Sequence, residues 1–263
     1  MNAKQDYIAV FDSGVGGLSV LRHLRNRMPG ERFLYFGDSL HAPYGTKSKE
    51  AVKKLTLAAA ENLQKRGIKA LVVACNTATS AAIDDLRMAY PDLIVVGIEP
   101  ALKPAADRYS GGTICVMATP MTLHEEKFQS LMHRYGECCQ VCPLPAPGLV
   151  ELVESGKADS PETEELLKAL FAPLPKKPDA VVLGCTHYPF AAAAISRVLG
   201  EEVALLDGGC GTARETRRRL ADADLLENGA GDLVLENSRN DPDILELSRK
   251  LLEETHIGGS YGR

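Results

Sequence analysis

Two cysteines stand in the same local grammar. In LVVACNTATSAAI, residues 71–83, an apolar strand-forming run ends at Cys75 and is followed by a polar pair and a helical series. In AVVLGCTHYPF, residues 180–190, the same order recurs around Cys185. A thiol donates a proton and, once ionised, accepts one, with an ordinary pKa of about 8.5. Each of these thiols is expected at a helix N-terminus, which lowers a thiol's pKa and offers backbone N–H groups to an anion. Two acid/base groups on opposite sides of one carbon invert a stereocentre: one takes a proton from one face while the other delivers a proton to the opposite face. Forming a thiolate at pH 7 from an ordinary pKa costs only about 2 kcal/mol. The harder step is the weakly acidic Cα–H of an amino acid. Without an electron-sink cofactor, the site must stabilise the carbanion electrostatically and exclude water.

Further polar residues fall at other strand ends. Asp12 and Ser13 close the first strand, Asp38 follows the second, and Tyr44 and Gly45 lie in the same loop as Asp38. His187 comes just after Cys185. Each has a plain structural alternative. Asp12 could cap the next helix, Asp38 a turn, and His187 could be a satisfied histidine at a helix start; a lone cysteine is most often a small buried apolar residue. Gly14, Gly16 and Gly17 spell G-x-G-G, which is neither a dinucleotide fingerprint nor a P-loop. Backbone N–H groups there could hold a carboxylate instead.

The elements that must position these groups read as alternating strands and helices. Strands are expected at 7–11, 32–36, 70–74 and 93–98, with helices at 18–28, 48–66 and 80–89 between them, and Gly67 as a helix stop. The pattern restarts near 99–103. Strands follow at 113–118, 137–142, 180–183, 203–206 and 233–236, and helices at 123–135, 161–171, 191–199, 212–220 and 242–254. Such alternation implies mostly parallel sheets with helices on both faces. The halves match in pattern: VFDSGVGG against VMATPMTL, and the Cys75 unit against the Cys185 unit. The expected fold is therefore two similar α/β domains with mostly parallel sheets, residues 1–97 plus 208–263 and residues 98–207. Ligands of such sheets sit at the carboxyl ends of the strands. If the domains face each other about a pseudo-twofold axis, both thiols look into one cleft.

Bulk properties restrict the class. The 263 residues are ample for a packed core, and the 45% hydrophobic and 25% charged fractions are those of a globular protein. The net charge of −5 and the lack of a long Lys/Arg block argue against a nucleic-acid partner. No apolar run reaches 18 residues, so no membrane span is expected, and the polar start is not that of a signal peptide, which leaves the cytoplasm as the default. Seven cysteines in a reducing compartment are expected as thiols. Cys139 and Cys142 form a C-x-x-C, but a second ligand pair is missing and only His133 is near, so Cys138, Cys139 and Cys142 read as small thiols at a strand or strand end, and no metal is expected.

Four blocks, AVFDSGVGGLSVL, YFGDSLHAPYGTKS, VVACNTATSAA and VVLGCTHYPF, together with CPLPAPGLVELVESG, resemble the signature segments of the glutamate racemases, in order and over nearly the whole chain. This resemblance implies a cofactor-independent isomerase that interconverts L- and D-glutamate and supplies D-glutamate for peptidoglycan. It implies that Cys75 takes the proton from D-glutamate and Cys185 from L-glutamate, with Asp12 and His187 assisting. Ser13, Tyr44, Gly45, Asn76, Thr77, Thr186 and His187 would bind the substrate's amino and carboxylate groups, with Asp12 beside them. Asp38, Glu154, Thr119 and Thr122 would support the site, and the protein would be a homodimer. Gly208, where the family often carries serine or proline, and Cys210 depart from the pattern, which puts the conformation of that turn in doubt. The N-terminal extension of some members is not seen, so activation by a cell-wall precursor is not expected.

Three rivals remain at this level. An aspartate or hydantoin racemase would use the same thiols and differ in pocket length; the PYG and CNTAT wording favours glutamate. A dicarboxylate-binding protein would have no need of both cysteines. A thiol redox enzyme would want a C-x-x-C that Cys75 and Cys185 lack.

Overall fold

The structure is a computed structural model, described for residues 6–253. The polar residues 1–5 and Glu254, the expected end of the last helix, lie outside the described residues. The first sheet is built from β1 (Tyr7–Asp12), β2 (Arg32–Gly37), β3 (Ile68–Val73), β4 (Ile94–Gly97) and β9 (Asp232–Asn237) in the order β4-β3-β1-β2-β9, all parallel. The second contains β5 (Thr113–Ala118), β6 (Gln140–Pro145), β7 (Ala180–Leu183) and β8 (Ala204–Asp207) in the order β6-β5-β7-β8, also all parallel. Read from the other edge, the second order is β8-β7-β5-β6. It repeats the first with every strand number raised by four, and β9 has no counterpart. In both sheets the chain reverses its direction of progress beside the first strand of the set, between β1 and β3 and between β5 and β7. Such a switch point opens a crevice at the strands' carboxyl ends.

The strands are apolar on both faces because both faces are covered. On β1, Ile8 and Val10 pack against α1 (Leu18–Arg27), α10 (Gly209–Asp222) and α11 (Pro242–Glu253). Ala9 and Phe11 point the other way, onto α2 (Lys49–Gln64) and α3 (Asn76–Ala89). In the second sheet, Cys115 and Met117 meet α7 (Leu149–Glu154), α8 (Pro161–Phe171) and α9 (Ala192–Leu199). Ile114 and Val116 meet α4 (Leu102–Arg108), α5 (Pro120–His124) and α6 (Glu126–Gly136). Val153, Ala158 and Phe190, from the second half of the chain, join the core of the first sheet. Among the described residues, no helix is long and apolar enough to cross a membrane.

Several boundaries differ from the sequence expectation for physical reasons. Helix α3, which contains the expected 80–89, begins at Asn76, because the Cys75 sulfur itself caps it, accepting from Ala78 N at 3.4 Å. The helix expected at 123–135 is two, α5 and α6: Thr119 caps the first through Thr122 N, and Glu125 between them is extended and ion-paired to Lys49 at 2.6 Å. Helix α4 is an addition; its Pro104 falls in the first turn, where a missing N–H costs nothing. Cys185 is followed by a 3₁₀ turn, Tyr188–Ala191, before α9, so it does not head an α-helix. Strand β6 runs three residues later than expected. Cys138 is exposed and Cys139 buried in the turn before it, each thiol donating to Tyr135 O, at 3.2 and 3.1 Å. A Cβ at Gly208 would stand 2.2 Å from the Glu99 carbonyl oxygen, so this turn packs too closely to take a side chain without shifting.

Candidate active site

All the strand-end groups converge between the two sheets. Cys75 follows β3 and Cys185 follows β7, equivalent positions in the repeated order, and they are 5% and 8% exposed. Asp12, at the end of β1, is fully buried. Its Oδ1 accepts from Gly14 N at 3.0 Å and its Oδ2 from Thr186 Oγ1 at 2.9 Å, a bond across the cleft. Ser13 Oγ accepts from the Cys75 thiol at 3.4 Å. Burial, and then the carboxylate of Asp12, push the Cys75 thiol up to about 12, against the hydrogen bonds of Ser13 and Ala78 N. The helix N-terminus was expected to lower this pKa. It does act in that direction, through the Ala78 N–H, but desolvation dominates and leaves Cys75 a thiol at neutral pH. Burial also raises the pKa of Asp12, against His187, Thr186 and Gly14 N.

The second thiol has different support. Cys185 Sγ lies 3.7 Å from His187 Nδ1, and His187 Nε2 lies 2.7 Å from Glu154 Oε1 at the end of α7. Glu154 Oε1 also accepts from Val15 N at 2.8 Å, and its Oε2 accepts from Ser39 Oγ at 3.1 Å. Burial opposes a charge on His187, but the hydrogen bonds and negative charges of Cys185 and Glu154 outweigh it and hold its pKa well above the ordinary value. Burial likewise pulls Glu154 up, and His187, Val15 N and Ser39 more than reverse it. The G-x-G-G turn therefore does hold carboxylates, but they are the protein's own, Asp12 and Glu154. Its glycines give close approach: a Cβ at Gly14 would stand 1.9 Å from Glu154 Oε1, and one at Gly16 2.3 Å from His187 Nδ1.

The remaining residues form two further groups. Tyr44 donates to Asp38 Oδ2 at 2.7 Å and His41 Nδ1 lies 2.9 Å from both Asp38 oxygens, while Asp38 N donates to Asp12 O at 2.9 Å. Thr77, Thr119 and Thr122 place three buried hydroxyls within 2.9–3.2 Å of one another. Gly45 lies against Thr119, where a Cβ would come within 2.6 Å of the threonine Cβ. Asn76 Oδ1 is buried with no hydrogen-bond partner among the described residues, an oxygen that an ammonium could satisfy. Sequence reasoning missed Ser39, His41 and Tyr35, whose hydroxyl donates to Gly14 O at 2.6 Å. Tyr35 had a usable signal, since a tyrosine in the middle of a buried strand needs a partner for its hydroxyl. A cavity of about 620 Å³ beside Arg22, Phe33 and Leu233 opens at the amino ends of β2 and β9. Unlike the strand carboxyl ends, it is lined by no cysteine.

The His187–Glu154 pair carries a pH prediction. A histidine whose pKa rises on folding adds stability in full below its ordinary 6.5 and loses it as pH passes the raised folded value. A carboxylate whose pKa falls on folding adds stability in full above its ordinary 4.5 and loses it as pH drops through the lowered folded value. The pair is thus fully stabilising between about 4.5 and 6.5 and weakens on either side. In Glu154→Gln the histidine loses its charged partner, so the alkaline limb of the pH–rate profile is expected to move to lower pH. Turnover is expected to fall by about tenfold to a hundredfold, the roughly 1.5–3 kcal/mol of a charged hydrogen bond. An unchanged profile would show that Glu154 does not tune His187.

Comparison with known proteins places this geometry in context. A sequence profile described as Asp/Glu/Hydantoin racemase matches residues 18–216. A glutamate racemase of Clostridium kluyveri is 51% identical over 258 residues, 97% of this chain and 100% of that protein. One from Clostridium perfringens is 49% identical over 249 residues, 94% of this chain and 96% of that protein. The crystal structure of glutamate racemase from Francisella tularensis in complex with D-glutamate superposes with a TM-score of 0.83 at 26% identity, covering 95% of each chain.

Proposed function

The chain belongs to the Asp/Glu/hydantoin racemase family, its reaction is the interconversion of L- and D-glutamate, and we propose that Cys75 and Cys185 are the two proton-transfer groups that carry it. The observation that carries this assignment is the placement of one buried thiol at the equivalent strand end of each sheet, joined across the two halves by the bond of Thr186 to Asp12. In our reading, Cys185 takes the Cα proton of L-glutamate while the Cys75 thiol delivers its own proton to the opposite face, and the roles exchange for D-glutamate. Held protonated by Glu154, His187 points Nδ1–H toward the Cys185 sulfur. Asp12 lies beside Cys75 and holds Thr186. From a pKa of about 12, ionising Cys75 at pH 7 costs about 7 kcal/mol, so the substrate's ammonium is given the task of offsetting that cost in the closed cleft. Asn76 Oδ1 is assigned to accept from that ammonium. The hydroxyls of Ser13, Thr77, Thr119, Thr122, Thr186 and Tyr44, with the backbone at Gly45 and the N-terminus of α3, are assigned to the carboxylates. Asp38 holds Tyr44 in place.

No pyridoxal phosphate enters this scheme; carbanion stabilisation is assigned to the fixed dipoles of the closed site. The division into residues 1–97 plus 208–263 and 98–207 is supported by the membership of the two sheets. We place the protein in the cytoplasm as a homodimer, which sedimentation equilibrium would test, with its D-glutamate entering peptidoglycan. The deciding experiment incubates the purified protein, without added cofactor, with L-glutamate in D₂O. Optical rotation should decay while deuterium enters Cα. Persistent rotation without deuterium would refute glutamate as substrate, and aspartate and hydantoins would be tried next.

A further inference from the structure

The turn that carries Cys185 and His187 has a gap in its hydrogen bonding. Tyr188 N donates to Cys185 O at 3.1 Å, and Phe190 N donates to His187 O at 3.1 Å. In the same i to i+3 series, the carbonyl between them, Thr186 O, should receive the N–H of residue 189. That residue is proline and has none. A buried carbonyl without a donor is costly. Here the donor comes from the other half of the protein: Ser19 Oγ, on the first turn of α1, lies 2.9 Å from Thr186 O. Ser19 is 3% exposed, so water does not substitute for it.

The serine hydroxyl has a second acceptor within reach, Gly16 O at 2.8 Å. A hydroxyl has one proton, and Gly16 O already receives the Ser19 N–H at 3.0 Å. The carbonyl that depends on the hydroxyl is therefore Thr186 O. Thr186 is then held from the first half at two points, its side chain on Asp12 Oδ2 and its carbonyl on Ser19. The adjoining residues on either side are Cys185 and His187.

We propose that Ser19 is a positioning residue whose hydroxyl stands in for the N–H that Pro189 lacks, and so sets the pose of Cys185 and His187 against the substrate. This rests on the two-thiol reading above. It assigns to α1, which itself carries no reacting group, the alignment of the second thiol only.

Three variants and one isotope measurement test it. Wild-type racemisation is measured first, and its absence would sink the catalytic reading together with this one. Ser19→Ala is expected to lower kcat about tenfold, the equivalent of ~1.4 kcal/mol, with KM within about twofold of wild type. Ser19→Cys keeps the size but donates weakly, and should behave like the alanine variant. Ser19→Thr keeps the hydroxyl and should retain most of the turnover. With Cα-deuterated L- and D-glutamate, Ser19→Ala should raise the kinetic isotope effect for the enantiomer deprotonated by Cys185 and lower it for the other. General loosening of the fold would not split the two. Wild-type kcat in Ser19→Ala, full turnover in Ser19→Cys, or equal isotope changes for both enantiomers would each overturn the assignment. Thermal melts of all three variants separate loss of folding from loss of alignment.

Discussion

Replacing Cys75 or Cys185 by alanine is expected to remove racemisation in both directions, with a loss of about a thousandfold or more. In the proposed scheme each thiol performs one of two proton transfers on opposite faces of the same carbon, and one positioned acid/base group contributes roughly 10²–10⁴-fold. No neighbour replaces either. Asp12 is engaged by Gly14 N and Thr186, and the Ser13 hydroxyl beside Cys75 is a far weaker acid than a thiol. Both sites are buried, and truncating a cysteine to alanine there removes a single sulfur, so the fold should survive. The expected signature is a folded protein that leaves the optical rotation of either enantiomer unchanged. A single remaining thiol still has access to one face, so slow deuterium entry into one enantiomer without inversion is consistent with the scheme. Sustained turnover in either variant would contradict it.

Lys69→Met is expected to be the most destabilising substitution outside the site, costing about 3–5 kcal/mol because it leaves a buried charge uncompensated. Lys69 Nζ lies 2.6 Å from Glu31 Oε2, with the two side chains 1% and 0% exposed. The ammonium also donates to Leu225 O at 3.0 Å, and Glu31 Oε1 accepts from Glu227 N at 2.8 Å. The pair thus anchors the segment between α10 and β9 beneath the first sheet. For a chain of this size the loss corresponds to a fall in Tm of roughly 6–20 °C. Replacing both partners with apolar residues, Lys69→Met with Glu31→Leu, should recover most of it, since a well-packed apolar pair often matches a buried ion pair. Denaturant melts decide the matter. A single variant as stable as wild type would show that the carboxylate finds other compensation. The pair sits at the amino ends of β2 and β3, a strand's length of about 20 Å from the thiols, so turnover of the folded fraction should not change.

Much of this arrangement could be read before any coordinates. Short apolar runs such as Ala180–Leu183, bounded by polar turns, identify strands buried on both faces, and their alternation with helices implies parallel sheets. The placement of Cys75 and Cys185 at strand ends follows from that alone. Less legible were features decided by chain distant in sequence. Family likeness alone points to Glu154, because its partners Val15, Ser39 and His187 lie up to 139 residues away. The tie from Ser19 to Thr186 spans 167 residues and has no local signature. A lowered pKa at Cys75 follows from the helix N-terminus, which is visible in a sequence, whereas the desolvation that outweighs it is a property of the packed fold. The break between α5 and α6 has no local signal, because Glu125 suits a helix by propensity and is drawn out of it by Lys49.

The repeated strand order gives the two thiols equivalent addresses but unlike companions, a serine and a helix cap for one, an imidazole and a carboxylate for the other. Enantiomers have equal free energies in water, so the equilibrium constant of their interconversion is one. The Haldane relation then requires kcat/KM to be identical in the two directions, however lopsided the supports. The structural asymmetry can appear only as a division of that shared ratio, with one enantiomer bound more tightly and turned over more slowly than its mirror image. Every substitution, in either half, must move both directions by one common factor.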